Sequence, residues 1–227
     1  MRTSFFLASA LASSLATAQQ QPNNASLGGG LEIGIPLGEF DATWGRQLVG
    51  LSANMTVPMR RLPLSYGFDF GWAHMGDGSR EVAINEENIE STTGELSVRS
   101  NVYSYHGLLR LQPFRGKVSP YVEAMAGARQ FTTRTTIEVE GMDQPLMEQR
   151  NENEFIGSSG WAAGLQVMPG KSRNFYLEGR VERLNGGQVT YVDPRSISIS
   201  PEGEVNYGTM TSGTRVLNIT FGIGLRF

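Results

Sequence analysis

Cysteine is absent from the 227 residues, so neither a disulfide nor a thiolate metal site can form. Long apolar runs are missing too. Past the N-terminus no stretch approaches the ~18 apolar residues of a membrane-crossing helix. Positive charge is scarce, with 19 Lys and Arg against 22 Asp and Glu and a formal net charge of −3, so no basic footprint for nucleic acid is present. His74 and His106 are the only histidines. Two lone histidines without cysteine do not make a metal site. What the chain has instead is glycine, 28 residues, a composition poor for helices, together with 39% hydrophobic residues, too many for a disordered chain.

The first eighteen residues read as a secretory signal peptide. Arg2 supplies the positive start, Phe5 to Leu15 the short apolar stretch, and Ala16-Thr17-Ala18 the small-x-small pattern before cleavage. Sec-type export with cleavage after Ala18 is expected, leaving 19–26 as a short N-terminal segment and 27–227 as one domain.

That domain is patterned at period two. At its C-terminal end Leu217, Ile219, Phe221, Ile223, Leu225 and Phe227 share one face, opposite Asn218, Thr220, Gly222, Gly224 and Arg226. Such alternation marks a strand with one apolar face. It recurs around 31–37, 49–57, 64–72, 103–111, 161–167 and 175–182, and more weakly at 121–131, where Val122, Ala124, Ala126 and Ala128 oppose Glu123 and Arg129. Eight strands are expected.

The connections alternate in length. Pro58–Pro63, Pro113–Pro120 and Pro169–Asn174 are short and rich in turn-forming residues, and Pro58, Pro113 and Pro169 recur at spacings of 55 and 56. The others, roughly 38–47, 74–100, 132–154 and 183–214, are long and polar. Thr135–Val139 and Ser196–Ser200 still alternate within them, which predicts strand extensions. The polar face carries Glu32, Asp69, Arg110, Glu123, Glu178, Arg180, Glu182 and Arg226 among glycines and serines. Small residues with charges that can pair suit a narrow interior better than a watered exterior. Tyr66, Trp72, Tyr103, Phe175 and Phe227 fall near strand ends on the apolar face, as interfacial aromatics do. The expected fold is all-β: a closed, antiparallel, eight-stranded transmembrane barrel with short periplasmic turns and long extracellular loops.

The chain resembles the small bacterial outer-membrane barrels, the OmpA-like and OmpX-like group often labelled porin-family. The resemblance is one of pattern over the mature chain. Its most specific element is Thr220-Phe221-Gly222-Ile223-Gly224-Leu225-Arg226-Phe227. This looks like the family's C-terminal insertion signal, with Thr220, Gly222, Leu225 and Phe227 at the matching positions. It implies residence in the bacterial outer membrane and recognition by the outer-membrane assembly machinery during biogenesis.

For chemistry, Arg110 and Glu123 flank one short turn and are expected to face each other inside the barrel. The eight charges of the polar face are expected to form a satisfied lumen network, since buried charge is tolerable only when paired. Ser104 and His106 share the polar face and invite a lipid-cleaving reading, but no orienting carboxylate follows from spacing. Asp41 and the acids Glu81, Glu86, Glu87, Glu90, Asp143, Glu148, Glu152 and Glu154 read as loop carboxylates. No catalytic, cofactor or metal site is expected. The leading expectation is a monomeric protein with a structural or surface-interaction role, a lumen plugged by side chains, and lipid and lipopolysaccharide as partners. A narrow porin for small solutes is the alternative, followed by a lipid-modifying enzyme and a soluble lipocalin-like binder.

Overall fold

In the computed structural model the described residues are 25–84, 92–114, 116–139, 147–169, 174–193, 196, 198–199, 205–206 and 208–227. The signal-peptide reading, and Glu86, Glu87, Glu90 and Asp143, lie outside them. Eight antiparallel strands close into a barrel. They are β1 (Ser26–Pro36), β2 (Leu48–Pro58), β3 (Leu64–Ile84), β4 (Thr92–Leu111), β5 (Val118–Val139), β6 (Met147–Val167), β7 (Phe175–Gly186) and β12 (Val216–Arg226). Neighbours in sequence are neighbours in the sheet up to β7, and β12 joins β7 to β1. The closing seam runs in unbroken register from Ser26↔Arg226 to Pro36↔Val216. Closure leaves no edge around the barrel wall, which a wall facing hydrocarbon requires.

The faces divide as the alternation predicts. Leu31, Phe221, Phe68, Val49, Ile223 and Phe227 are each more than half exposed. Glu32, Thr220, Asp69 and Asn54, on the alternate positions, are buried. The inside of the barrel is thus charged and the outside apolar. Within, rings cover strand glycines. A Cβ added to Gly224 would fall inside the ring of its register partner Tyr176, and one added to Gly164 inside that of its partner Tyr121. Glycine there is a packing requirement.

In the connections 74–100 and 132–154 the described residues are strand; the extension expected at Thr135–Val139 is the outer end of β5, and the one on β3 and β4 was not expected. β3 to β6 run 20 to 22 residues each, against 11 or 12 for the other four. They therefore extend about ten residues, on the order of 30 Å, beyond the short strands as a one-sided sheet. Glu81 lies on β3, and Glu148, Glu152 and Glu154 on β6, rather than in loops. A bulge at His74/Gly76 falls where β3 leaves β2, whose register ends at Val49↔His74, and a second at Thr133/Arg134 lies farther out than Ser158, where β6 leaves β7.

The other two long connections fold back over the mouth. In 38–47 a helix, α1 (Glu39–Trp44), buries Phe40 and Trp44, so Asp41 is helical rather than a loop acid. It begins after Gly38, whose φ of 63° and ψ of −124° only glycine adopts without strain, and ends at Gly45 in the left-handed region. Past Gly186 the chain bends, and β8 (Gln188–Val192) pairs with β11 (Thr209–Gly213) as a separate ribbon packed against β5 and β6. Of the expected extension at Ser196–Ser200 only Ser198–Ile199 forms a described strand, β9, paired with β10 (Val205–Asn206).

Candidate functional site: the barrel interior

Strand register brings charges from six strands into the lumen, in tiers. At the short-turn end Gln112 Nε2 and Arg226 Nη2 both donate to Gln166 Oε1, at 3.0 and 2.6 Å, and the Arg226 guanidinium lies 5.6 Å from the Tyr176 ring centroid. Gln166 passes a hydrogen bond to Glu178 Oε1 at 3.0 Å, and Asn54 donates to its other oxygen at 3.3 Å.

The next tier is ionic. Arg110 and Glu123 are register partners, and Nε donates to Oε1 at 2.6 Å. The same guanidinium reaches Glu178 at 3.5 Å and stacks 3.9 Å above the Tyr121 ring. Arg180 is the hub, with Asp69 at 2.5 Å, Glu182 at 2.7 Å and Glu123 at 3.1 Å, each from a different guanidinium nitrogen. Asn218 donates to Glu182 at 3.1 Å. All of these groups are buried, so the pairs are mutually obligatory: a lone buried charge there costs several kcal/mol. Among the described residues Glu32 forms no ion pair, although it is buried on the same face. Arg129 belongs to the interior set as well, donating to the Thr214 carbonyl at 2.9 Å. His106 is fully buried beside Asp69, its register partner, and neither ring nitrogen has a partner. Since His106 points into the barrel, it cannot meet a lipid on the outer wall. Among the described residues no three metal-ligating side chains converge.

Above the charges the lumen ends in an apolar, aromatic cap. Phe40 of α1 meets Phe131 and Tyr191 edge-on at 6.3 and 6.1 Å, Trp44 meets Tyr191 at 5.7 Å, and Phe131 stacks on Tyr191 at 6.5 Å. Val102, Leu184 and Val216 pack around them. Burial holds the Tyr191 hydroxyl, bonded to Ser212 at 3.0 Å, above the usual tyrosine pKa. The signal for this cap was the Phe40/Trp44 pair at i, i+4.

The chain is similar in fold to small outer-membrane barrels. The attachment invasion locus protein Ail of Yersinia pestis matches 91% of this chain and all of its own, at 16% identity and a TM-score of 0.44. A major outer membrane protein from Thermus thermophilus matches 89% of this chain and 99% of its own, at 12% identity and 0.44. Neisserial surface protein A matches 90% and 96%, at 12% and 0.40. At such values the likeness carries nothing about activity. No protein-family model matches the chain, and no curated protein matches it.

Of the four residues expected to form an insertion signal, Thr220 and Gly222 face the interior and Leu225 and Phe227 the exterior, all on β12 or directly after it; the Phe227 amide donates to the Ala25 carbonyl at 2.9 Å.

Proposed function

We propose that this chain is a bacterial outer-membrane barrel whose lumen is closed by its own side chains, and whose role is structural or one of surface interaction rather than catalysis. The inversion of polarity carries the reading. Leu31, Phe68, Phe221, Ile223 and Phe227 stand outside, and five carboxylates with three arginines lie buried inside. A soluble monomer seldom exposes contiguous apolar patches beyond a few hundred Å², whereas here they ring the wall. The apolar face of β12 from Leu217 to Phe227 runs about 33 Å along the strand, and tilted by about 40° it is about 25 Å tall, the height of an outer-membrane barrel's apolar band.

Two successive barriers support closure: the Arg110–Arg180 network and the cap of Phe40, Trp44 and Tyr191. What remains for interaction is the long β3–β6 sheet. Lipid and lipopolysaccharide are the partners of the wall, and the C-terminal residues ending at Phe227 are those offered to the assembly machinery. The test is ion conductance in a planar bilayer, on protein refolded in detergent and shown to shift on an unheated gel. A silent bilayer with a normal shift is expected. Steady, reproducible channels would favour the narrow-porin reading, and protein that stays soluble without detergent would contradict membrane residence.

A further inference from the structure

The short-turn end of the barrel is charged unlike the rest of the chain. Arg60 and Arg61 lie in the first short turn, Arg115 and Lys117 in the second, and Lys171 and Arg173 in the third, and none of the three turns contains an Asp or Glu. Both lysines of the protein are among these six. Outside the lumen every acidic side chain falls instead in 38–47, 74–100, 132–154 or 183–214, toward the opposite end. Arg60, Arg61 and Lys117 are exposed, and among the described residues none of the three forms an ion pair. The first carboxylate inside the lumen, Glu178, lies behind the Gln112–Gln166–Arg226 tier and is engaged by Arg110, Gln166 and Asn54.

Hydrogen bonds fix these turns to the barrel. Met59 N donates to the Leu64 carbonyl at 2.8 Å, Gln112 N to the Pro63 carbonyl at 2.9 Å, and Met168 N to the Lys117 carbonyl at 2.8 Å. The last two bonds tie each turn to the neighbouring strand end, so Arg60, Arg61 and Lys117 belong to one rim. Apolar side chains adjoin the cations there. Leu62 follows Arg61, Val118 follows Lys117, and Phe114 opens the second turn; the three are 43, 53 and 60% exposed. With the exposed ring of Tyr66 on β3, they continue the apolar wall into the turns. The edge of the hydrocarbon therefore passes through the turns, and the flexible stems of Arg and Lys carry their charges to headgroup depth.

We propose that this rim binds the phosphate groups of anionic phospholipids in the periplasmic leaflet, through Arg60, Arg61 and Lys117. Any phospholipid phosphate can accept hydrogen bonds from a guanidinium or ammonium group. A zwitterionic headgroup, however, also brings a cation of its own, and the three turns offer that cation no acidic side chain. Basicity without acid therefore favours the anionic lipid. The apolar neighbours favour a lipid over a dissolved anion. Leu62 and Phe114 gain nothing from free phosphate, whereas acyl chains beneath a bound headgroup cover them. Exposed cations beside an anionic membrane surface are each attracted to it, and together they select the lipids that border the barrel. The proposal rests on the membrane-spanning reading.

It is tested with the full chain refolded into phosphatidylcholine vesicles that carry a small fraction of spin-labelled lipid. The share of label immobilised at the protein is compared for phosphatidylglycerol and for phosphatidylcholine. Phosphatidylglycerol is expected to associate with the wild type at least about threefold more strongly, and about 0.5 M sodium chloride should weaken that preference because the cations are exposed. R60Q/R61Q/K117Q should abolish the preference while its heat-modifiable gel shift is unchanged, and R60K/R61K/K117R should keep it. Inorganic phosphate at millimolar concentration should not displace the lipid. Equal association of the two lipids with the wild type, or a preference that survives in R60Q/R61Q/K117Q, overturns the site while leaving the barrel's insertion intact. Loss of the preference in R60K/R61K/K117R overturns charge as its basis. Displacement by inorganic phosphate would make the rim a free-anion site and overturn the lipid assignment. Failure of the wild type to enter any vesicle overturns the membrane reading itself.

Discussion

Arg180→Gln is the most demanding perturbation of the interior. Its guanidinium sits among Asp69, Glu182 and Glu123 at 2.5, 2.7 and 3.1 Å, and the variant leaves three buried carboxylates facing one another with no cation between them. Each contact is worth about 4 kcal/mol at an effective dielectric of ~20, most of it offsetting the cost of removing the ions from water. Breaking such a buried set is therefore expected to cost about 3–5 kcal/mol, not the sum of three pairs. With a urea slope of ~1–3 kcal/mol/M, the unfolding midpoint falls by at least about 1 M. The assay is urea unfolding of the refolded protein in vesicles, followed by tryptophan fluorescence and by the unheated gel shift, which should coincide. Arg183→Gln, an exposed arginine three residues along the same strand, is the control and should cost no more than ~0.5 kcal/mol. Adding Asp69→Asn to Arg180→Gln removes one stranded charge, so the double variant should be more stable than additivity requires by about 0.5–3 kcal/mol. If Arg180→Gln costs no more than Arg183→Gln, or if the double variant is additive, the interior is solvated and the network is not the barrier described.

Phe40→Ala empties the centre of the cap and should cost about 3–5 kcal/mol, read by the same urea curve, while the bilayer stays silent because the ionic tier below is intact. Gly38→Ala forces a side chain into positive φ at a point where its Cβ would fall 2.7 Å from Arg215 Nη2, and should cost about 1–3 kcal/mol and loosen α1, seen as faster proteolysis within 38–47. Leu31→Arg, at one of the most exposed positions of the apolar wall, should cost about 2–4 kcal/mol in vesicles and little on the denatured chain. Because the folded-state pKa of Tyr191 is raised, the stabilisation from its protonated form is complete below the unfolded value of about 10 and is lost as pH rises above it; Tyr191→Phe should therefore lose less stability than the wild type between neutral and strongly alkaline pH.

How much of this was legible depends on what each feature answers to. The wall was readable because period two is local: Leu217 to Phe227 declare their face without reference to any other strand. Even the weak β5 came out in register, since Glu123 and Arg129 mark the interior where the alanines opposite them carry little hydrophobic signal. Arg110 and Glu123 could be paired because a short turn separates them. Arg180 and Asp69 could not, being 111 residues apart on strands that are not neighbours in the sheet, so that their meeting depends on barrel tilt and closure. The cap was hidden for a related reason. Phe40 and Trp44 are two apolar residues in a polar connection, and what buries them is Tyr191 from the far end of the chain. The extension of β5 was legible in the alternation at Thr135–Val139, whereas those of β3 and β4 were not, because Gly76, Asp77, Gly78 and Ser79 interrupt the apolar period without ending the strand.

The central claim is that the apolar wall faces hydrocarbon while the cap does not. Two single-tryptophan variants, one keeping Trp161 on the outer wall and one keeping Trp44 in the cap, should be placed in vesicles whose acyl chains carry bromine, and their fluorescence compared with that in unbrominated vesicles. Strong quenching of Trp161 with little change at Trp44 is the predicted result. Equal quenching of the two, or a Trp161 untouched by bromine yet quenched by aqueous acrylamide, would contradict the account.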